Sequence, residues 1–315
     1  MRAAVMNDGQ APVYGNFAEP QPAPGLLVAE VCAAALTGLD TRVGRRLHYF
    51  KMPDGPFVLG REGVARQSDG RRIYFNAQAP AGPYGSMAER TLIDPRFTFP
   101  VPDGVADDVA AALGNAGLAA WLPLSWRAPL RPGETVLILG ATGISGLIAV
   151  AAAKRLGAGG IIAAGRNREA LARAKELGAD ATIDLGAPAA DFAAAYREAA
   201  RGEVDLVIDY VFGAPAEAAL AVLAHYGRLV HIGSLAGPTI SVAGLTLRRT
   251  CCDVLGFASY HAPIEVQAHA YAELCRLVAA GEIPLDIETR PLAEIAAAWD
   301  AKAKGARRRQ VLIPG

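Results

Sequence analysis

The feature that most restricts the fold of this chain is a glycine-rich turn between an apolar run and a helical pattern. Residues 136–146 read VLILGATGISG, which predicts a strand ending near Gly140 and a helix beginning near Gly143. Glycine lets the backbone approach a pyrophosphate, and Gly146 permits close packing of the helix on the strand. We therefore predict a dinucleotide-binding turn, with Ala141 replacing the first glycine of the G-x-G-x-x-G pattern. The alternative is a turn whose glycines serve packing only.

Strand and helix patterns alternate regularly around and after this turn. The predicted strands are 135–139, 160–164, 181–184, 205–209 and 228–232, followed by a strand-like run at 251–257. The predicted helices between them are 149–156, 168–177, 189–200 and 214–223. Such alternation implies right-handed crossovers and an α/β fold with a doubly wound parallel sheet.

The 315 residues are enough for two domains, and residues 1–117 have a different pattern. Short β-like runs alternate there with clusters of Pro and Gly, which is typical of a β-rich domain. The last part of the chain has two helical stretches and a final strand at 310–313, and we expect it to return to the first domain. The predicted division is 1–117 with 258–315 as the β-rich domain, and 118–257 as the cofactor domain.

Charge and hydropathy argue against several classes of partner. Lys plus Arg and Asp plus Glu both number 31, so a net charge of zero offers no overall attraction to nucleic acid or anionic lipid. The uninterrupted apolar runs are much shorter than the roughly 20 residues that span a bilayer, and the first residues lack a signal-peptide apolar region. We expect no membrane and no nucleic-acid partner, and a cytoplasmic location.

Cysteine and histidine patterns do not indicate a metal site. The four cysteines, at 32, 251, 252 and 275, lack both the density of a disulfide scaffold and a C-x-x-C spacing, and we expect them to be reduced core residues. The five histidines include no H-E-x-x-H pattern. A bound metal is therefore not expected.

The residues after the second strand of the alternation indicate which dinucleotide is bound. NAD sites usually have an acidic residue there for the ribose 2′-hydroxyl, but this strand runs into Gly165, Arg166, Asn167 and Arg168. Arg166 suits a 2′-phosphate, and one charge-assisted hydrogen bond of about 1.5–3 kcal/mol gives roughly a ten- to hundredfold preference for NADPH. The alternative is that Arg166 and Arg168 only solvate the start of a helix.

These features together resemble the medium-chain dehydrogenase/reductase superfamily, and within it the zinc-independent, quinone oxidoreductase-like branch. The segments that carry the resemblance follow the family's order: 1–5 (MRAAV), 35–40 (ALTGLD), 60–63 (GREG), 82–89 (GPYGSMAE), 119–121 (AAW), 140–146 (GATGISG), 175–180 (KELGAD) and 310–312 (QVL). The resemblance implies a Rossmann cofactor domain and a β-rich, GroES-like catalytic domain. The sequence departs from the family at 64–72, which is shorter than the usual hairpin.

The resemblance also implies where zinc-dependent relatives hold their catalytic metal. By family register the Cys, His and Cys ligands correspond to Thr37, Arg61 and a position near Asn115. Zinc requires thiolate, imidazole or carboxylate ligands, so these side chains do not provide a site. Without a Lewis acid, hydride delivery to an acceptor that spreads the incoming charge is favoured over alcohol oxidation.

Candidate site residues follow from the turn, the strand ends and the resemblance. The candidate cofactor-binding residues are Gly140, Ala141, Thr142, Gly143, Ile144, Ser145, Gly146, Gly165, Arg166, Asn167, Gly233, Ser234, Phe257 and Arg309. The candidate catalytic pocket residues are Tyr49, Arg61 and Asn115, with Tyr84 and Tyr260 as weaker candidates. Arg309 is included because some relatives contact the pyrophosphate with an Arg three residues before the equivalent of Leu312.

The sequence therefore predicts an NADPH-dependent oxidoreductase that transfers a hydride to a small molecule, either a quinone or an α,β-unsaturated carbonyl. Two alternatives remain open: a nucleotide-binding protein with little turnover in a structural or RNA-associated role, and a zinc-free alcohol or sugar dehydrogenase. The apolar, β-prone run 251–257 is expected to form an edge strand, and edge strands invite pairing with another chain. We expect a homodimer through this edge, as is common in the family.

Overall fold

The computed structural model describes residues 1–7, 10–45, 54–76, 82–187, 191–283, 285–306 and 308–315. Its strands are β1 (Arg2–Met6), β2 (Val13–Asn16), β3 (Leu27–Ala35), β4 (Phe57–Val58), β5 (Glu62–Arg66), β6 (Arg72–Asn76), β7 (Arg90–Ile93), β8 (Thr98–Pro100), β9 (Thr135–Leu139), β10 (Gly160–Gly165), β11 (Ala181–Asp184), β12 (Val204–Asp209), β13 (Leu223–His231), β14 (Asp253–Gly256), β15 (Ile287–Pro291) and β16 (Arg309–Ile313). Its α-helices are α1 (Gly38–Gly44), α2 (Asp107–Leu122), α3 (Ile144–Arg155), α4 (Arg168–Glu176), α5 (Phe192–Ala200), α6 (Gly213–Leu220), α7 (Gly244–Thr250), α8 (Ile264–Ala279) and α9 (Ile295–Ala303).

The chain divides into two compact units. The first contains Met1–Ala116, Ala262–Ala279 and Leu285–Gly315, and the second contains Gly117–His261 and Ala280–Pro284. The sequence-based division differs in three places, because it assigned Gly117, which begins the second unit, and the whole of 258–315 to the first unit. Residues 258–261 and the short segment 280–284 belong to the second unit instead.

A parallel six-stranded sheet forms the second unit, in the order β11-β10-β9-β12-β13-β14. The prediction of a doubly wound parallel sheet is confirmed, with each predicted strand present to within a few residues. The apolar runs of β9, β10 and β12 are almost completely buried, as expected for strands that are covered on both faces. The chain enters at β9 and later returns to pair β12 beside it, so the direction of winding reverses between these two strands. Ligands bind outside the carboxyl ends of the strands at such a reversal.

The first unit is rich in β-structure, as predicted. A three-stranded sheet has the order β2-β1-β4, and a larger sheet has the order β15-β16-β3-β5-β6-β8, with β7 also paired to β3. The C-terminal strand β16 pairs antiparallel with β3 from the start of the chain. The hydrophobic core of the first unit includes Met6, Leu36, Phe57, Leu59 and Trp299.

One helical segment among the described residues, Asp107–Arg127, is long and apolar enough to cross a membrane by length and composition. Its apolar residues are interrupted by polar ones, so uninterrupted apolar runs in the sequence do not indicate it. In the structure 78% of its apolar window is buried inside the protein. A core helix of a folded protein meets the same criteria.

The prediction of four core cysteines is wrong for most of them. Only Cys275 is buried, while Cys32 and Cys252 are half-buried and Cys251 is exposed. Cys251 terminates α7 with a left-handed backbone (φ 49°), which turns the chain outward before β14. All four thiols are free.

Candidate active site

The glycine turn of the second unit has the close packing that a dinucleotide turn requires. Gly140 has φ +88°, in the left-handed region that glycine adopts without strain. A Cβ atom at Gly146 would lie 2.4 Å from the carbonyl oxygen of Gly140 and 2.5 Å from Cα of Ala141. The absence of a side chain at Gly146 therefore allows the first turn of α3 to rest directly on the end of β9.

Gly143 leaves open space in front of the helix. It is the N-cap of α3 and supplies no side-chain cap, so the first N–H groups of the helix have no capping partner from it. A Cβ atom at Gly143 would meet only the carbonyl oxygen of Gly140, at 3.7 Å. An exposed glycine before uncapped helix N–H groups, which lie at the positive end of the helix dipole, suits a phosphate group.

The second strand ends against this turn. A Cβ atom at Gly165 would lie 2.4 Å from Cγ2 of Thr142, so glycine is needed for the two segments to pack this closely. Arg166 follows directly and is exposed. The side chain of Asn167 caps α4 by accepting a hydrogen bond from the N–H of Ala170 at 2.9 Å, so its oxygen already has a structural role.

Arg168 differs from Arg166 because it has an acidic partner. Its Nε lies 3.0 Å from Oδ2 of Asp184, which ends the neighbouring strand β11. The N–H of Gly186 and the Arg168 guanidinium hold the pKa of Asp184 below its usual value. The acidic residue Asp184 thus ends β11 and is paired, whereas β10 is followed directly by Arg166, Asn167 and Arg168.

The remaining cofactor candidates of this unit lie at the carboxyl ends of β13 and β14. A Cβ atom at Gly233 would lie 2.8 Å from the carbonyl oxygen of Tyr210, so this glycine allows the turn after β13 to rest on the turn after β12. The N–H of Phe257 donates to the carbonyl oxygen of His231 at 2.9 Å. Ser234 is half-buried beside the same histidine.

Two residues at this edge, Asp209 and His231, were not predicted from the sequence. Asp209 is completely buried at the end of β12, and its Oδ2 lies 3.1 Å from Nδ1 of His231. The signal available in the sequence was an acidic residue and a histidine, each at the end of an apolar strand pattern.

The first unit brings several charged side chains into its interior. Asp40, Arg61, Glu62 and Arg309 are each at most 7% exposed. Tyr49 lies outside the described residues. Of the weaker candidates, Tyr84 packs edge-on against Phe17 and donates a hydrogen bond to the carbonyl oxygen of Glu19; Tyr260 contacts the ring of His261 in the second unit.

Asp40 is held by the start of α1. Its Oδ2 accepts hydrogen bonds from the N–H of Thr37 at 2.7 Å and from the Thr37 hydroxyl at 2.6 Å, and Thr37 caps the helix in return. Burial raises the pKa of Asp40, and the Thr37 hydrogen bonds, with the charges of Arg61 and Arg309, oppose that rise.

Glu62 is the second buried carboxylate, at the start of β5. Its Oε2 accepts hydrogen bonds from the hydroxyl of Tyr74 at 2.5 Å and from the backbone N–H of Asn115 at 2.7 Å. Burial raises the pKa of Glu62, and the charge of Arg309 and these hydrogen bonds oppose the rise. Asn115 therefore contributes its backbone to the cluster.

Arg309 lies electrostatically close to both carboxylates. It also lowers the pKa of Lys302, for which burial is the larger cause. The structure thus brings Arg309 together with Arg61, Asp40 and Glu62 inside the first unit. Its predicted contact with a pyrophosphate remains a prediction.

By family register, the zinc ligands of zinc-dependent relatives correspond to Thr37, Arg61 and a position near Asn115. Thr37 is engaged in the cap of α1, and Arg61 brings a positive charge next to Asp40. Within the described ranges, no group of three or more His, Cys, Asp or Glu side chains is arranged to hold a metal ion.

A cavity of about 700 Å³ lies elsewhere in the second unit, against β10, β11 and α5. Ile161, Ile162, Ala181 and Ala199 are among its lining residues, and none of the cofactor candidates lines it. It is separate from the glycine turn.

Comparison with known proteins agrees with the fold. A family model described as zinc-binding dehydrogenase matches residues 145–279. The quinone oxidoreductase of Thermus thermophilus, solved also in complex with NADPH, is 30% identical, covers 99% of this chain and 100% of its own, and has a TM-score of 0.78. The chain belongs to the medium-chain dehydrogenase/reductase superfamily. Two further structures are similar to it, and the quinone oxidoreductases among these relatives place it in the quinone oxidoreductase-like branch of that superfamily.

The first is a mycobacterial quinone oxidoreductase, with a TM-score of 0.87 and 27% identity over 100% of both chains. The second is a 2-haloacrylate reductase, with a TM-score of 0.85 and 25% identity over 100% of this chain and 99% of the other. By sequence, the phthioceranic/hydroxyphthioceranic acid synthase of Mycobacterium tuberculosis is 33% identical over 234 residues, which is 71% of this chain. The chain matches only 10% of the length of that synthase.

Proposed function

We propose that this protein is an NADPH-dependent, zinc-independent oxidoreductase that transfers a hydride to a quinone or an α,β-unsaturated carbonyl compound. The observation that carries the proposal is the position of Arg166. It follows Gly165, which packs on Thr142 of the glycine turn, and it is exposed where a cofactor's 2′-phosphate is expected.

The described residues fit a dinucleotide. The exposed Gly143 and the uncapped start of α3 suit a pyrophosphate, and Gly146 keeps the helix close to β9. When bound, the nicotinamide supplies the hydride, while the protein binds and orients it. The Thermus thermophilus relative, which was solved with NADPH, supports the cofactor. The 2-haloacrylate reductase, which by its name acts on an acrylate, supports a conjugated acceptor.

The side chains of the first unit support an acceptor that needs no zinc. Thr37, Arg61 and Asn115 provide no thiolate or imidazole, which a catalytic zinc requires together with its other ligands. A quinone or a conjugated enone disperses the negative charge that hydride transfer creates, so it does not depend on a metal to stabilise an alkoxide. Arg61 and Arg309 supply positive charge inside this unit instead.

The test is a panel of NADPH oxidation against quinones, enals, enones and simple ketones, run with and without EDTA and accompanied by elemental analysis. We expect turnover with the conjugated acceptors, full activity in EDTA, and less than one zinc per chain. The reverse reaction with simple alcohols is expected to be negligible. Turnover that depends on stoichiometric zinc, or NADPH binding without turnover of any acceptor in the panel, contradicts the proposal.

We also propose a homodimer that forms through β14. The strand is the last of its sheet, and Val254 on it is 45% exposed. Because the N–H of Phe257 points to β13, alternation along the strand directs the backbone groups of Val254 and Gly256 toward the free edge. Arg127 donates to the carbonyl oxygen of Gly256, which leaves the Val254 region for pairing with a second copy.

A further inference from the structure

Asp209, His231 and Ser234 form a hydrogen-bonded row at the carboxyl edge of the parallel sheet. Oδ2 of Asp209 lies 3.1 Å from Nδ1 of His231, and the hydroxyl of Ser234 lies 3.4 Å from Nε2. Asp209 is completely buried, whereas the His231 side chain is 28% exposed. The row therefore runs from the interior of the sheet toward the surface.

The buried carboxylate determines how the imidazole presents its outer nitrogen. Oδ1 of Asp209 accepts hydrogen bonds from the N–H groups of Val211 at 2.9 Å and Phe212 at 2.8 Å. Oδ2 is left to accept from His231, so Nδ1 carries the hydrogen and Nε2 of the neutral ring presents a lone pair. Nε2 is thus an oriented acceptor whose present donor, the Ser234 hydroxyl, lies at the long distance of 3.4 Å, so an O–H or N–H group of a ligand that approaches more closely can replace it.

Phe212 holds the ring from one side. Its ring centroid lies 4.1 Å from that of His231, and its backbone has φ +55°, a region that a bulky residue rarely adopts. The hydrogen bond from its N–H to Asp209 stabilises this conformation. Backbone strain of this kind persists only where surrounding contacts maintain it, and it occurs often at ligand sites.

Asp209, His231 and Ser234 lie in the half of the sheet that binds the second nucleotide of a dinucleotide in doubly wound folds. A doubly wound sheet consists of two mononucleotide-binding halves, and β9, which ends in the glycine turn, begins the first. β12 and β13 belong to the second half. The turn after β12 also packs on the glycine turn, because a Cβ atom at Gly140 would lie 3.0 Å from Val211 and 3.1 Å from Tyr210.

We propose that Nε2 of His231, oriented by Asp209, accepts a hydrogen bond from the nicotinamide nucleoside half of the bound cofactor. The inference rests on the proposed function, since it requires NADP(H) in this sheet. That half offers two classes of donor, the ribose hydroxyl groups and the carboxamide NH₂. His231 and Asp209 then determine how tightly and in which orientation the reacting half is held.

Three ligands separate the parts of the cofactor in binding titrations. The compound 2′,5′-ADP contains only the adenosine half, 2′-phospho-ADP-ribose adds the second ribose, and NADPH adds the nicotinamide. His231→Asn keeps a donor at the Nδ1 position for Asp209 but removes the Nε2 atom, whereas His231→Gln restores a polar atom near that position. Asp209→Asn places an NH₂ opposite Nδ1 and so converts Nε2 from an acceptor into a donor.

We expect His231→Asn and Asp209→Asn to bind NADPH about five- to tenfold more weakly, with unchanged affinity for 2′,5′-ADP. His231→Gln is expected to recover most of the affinity. A parallel loss for 2′-phospho-ADP-ribose assigns the ribose hydroxyls as the donor, and a loss confined to NADPH assigns the carboxamide. His225→Asn, on the same strand but exposed at its other end, is the matched control and should bind all three ligands like the wild type.

Equal NADPH affinity in wild type and His231→Asn overturns the inference, as does an equal loss for all three ligands. Thermal melting is measured for each variant. If His231→Asn melts at a lower temperature than the wild type, the NADPH affinities of His231→Gln and Asp209→Asn are compared instead. The inference then requires that His231→Gln binds NADPH more tightly than Asp209→Asn. Failure of the proposed function has a different signature, because the folded wild-type protein would then bind no NADP(H), or would bind it and turn over no acceptor in the panel, whatever the His231 variants do.

Discussion

The hydroxyl of Tyr74 donates a hydrogen bond to Oε2 of Glu62 inside the first unit. Tyr74 is fully buried and stacks on Phe99, while its ring lies against Gly114 on α2. A Cβ atom at Gly114 would lie 2.1 Å from the Tyr74 ring, so glycine is required there for the hydroxyl to reach the carboxylate. The same helix provides the N–H of Asn115 to the same oxygen.

Removing this hydroxyl should destabilise the protein without changing its fold. In Tyr74→Phe the buried carboxylate keeps the Asn115 N–H but loses its side-chain donor, and we expect a loss of about 1–3 kcal/mol in the free energy of unfolding. Chemical denaturation measures this value. Tyr226→Phe is the control, because Tyr226 is 64% exposed and should change stability by less than about 0.5 kcal/mol. A loss of the same size in both variants contradicts the role of the hydrogen bond.

Glu62→Gln should change how stability depends on pH. Burial raises the pKa of Glu62 above its ordinary value of 4.5, so the folded protein keeps this proton at pH values where the unfolded chain has released it. This contribution to folding is complete below that ordinary value and declines as pH rises through the raised pKa, by at most about 1.4 kcal/mol per pH unit. Glu62→Gln removes the decline, and its stability relative to wild type should improve as the pH rises above the ordinary pKa of 4.5. Urea denaturation at several pH values tests this, and a constant or shrinking difference would falsify it.

Arg166→Ala should reduce the preference for NADPH. We expect wild-type protein to bind NADPH at least about tenfold more tightly than NADH, and the variant to lose about ten- to hundredfold in NADPH affinity with little change for NADH. Fluorescence titration measures both constants. Arg173→Ala is the matched control, because Arg173 lies on α4, which begins two residues after Arg166, and pairs with Glu176 at 2.6 Å. Equal affinities of the wild type for the two cofactors would refute the assignment.

Gly143→Ala and Gly146→Ala should separate binding from folding. At Gly143 a Cβ atom has room but projects toward the space assigned to the pyrophosphate, so stability should change by less than about 0.5 kcal/mol while NADPH affinity falls. At Gly146 the Cβ atom would collide with the backbone of Gly140 and Ala141, and we expect a loss of about 1–3 kcal/mol in stability. Thermal melting and NADPH titration are measured on both. Unaltered binding by a folded Gly143→Ala protein rules out this position for the cofactor.

Val254→Pro should convert the proposed dimer into a monomer. The N–H of Val254 points away from β13, so proline removes a donor from the outer edge and leaves the β13 ladder intact. Light scattering at micromolar concentration gives the mass of each protein. Asn16→Pro is the matched control, because Asn16 is also exposed and lies on β2, an edge strand of another sheet, with its N–H directed away from β1. A wild-type monomer, or a Val254→Pro protein that folds and still dimerises, excludes pairing through β14.

Much of the cofactor unit was predictable because its signals are local. The run before Gly140 predicts β9, and the glycine spacing predicts the start of α3, within a window of about a dozen residues. The edge position of β14 followed from the order of the alternating elements and is confirmed. The exposure of Cys251 was not predicted, because an apolar β-prone run indicates a strand but does not show which of its residues face solvent.

The amino-acid sequence by itself determined the doubly wound sheet, the glycine turn and the family, since periodicity and turn residues act over short distances along the chain. Only the tertiary structure decided which polar side chains meet inside each unit. Glu62 reaches Tyr74 across 12 residues of sequence and Asn115 across 53, and Asp209 reaches His231 across 22. These contacts depend on strand order, on register and on glycines such as Gly114 that admit a neighbouring ring. Those three conditions arise only when separate elements pack together, so the pattern of any one element does not contain them.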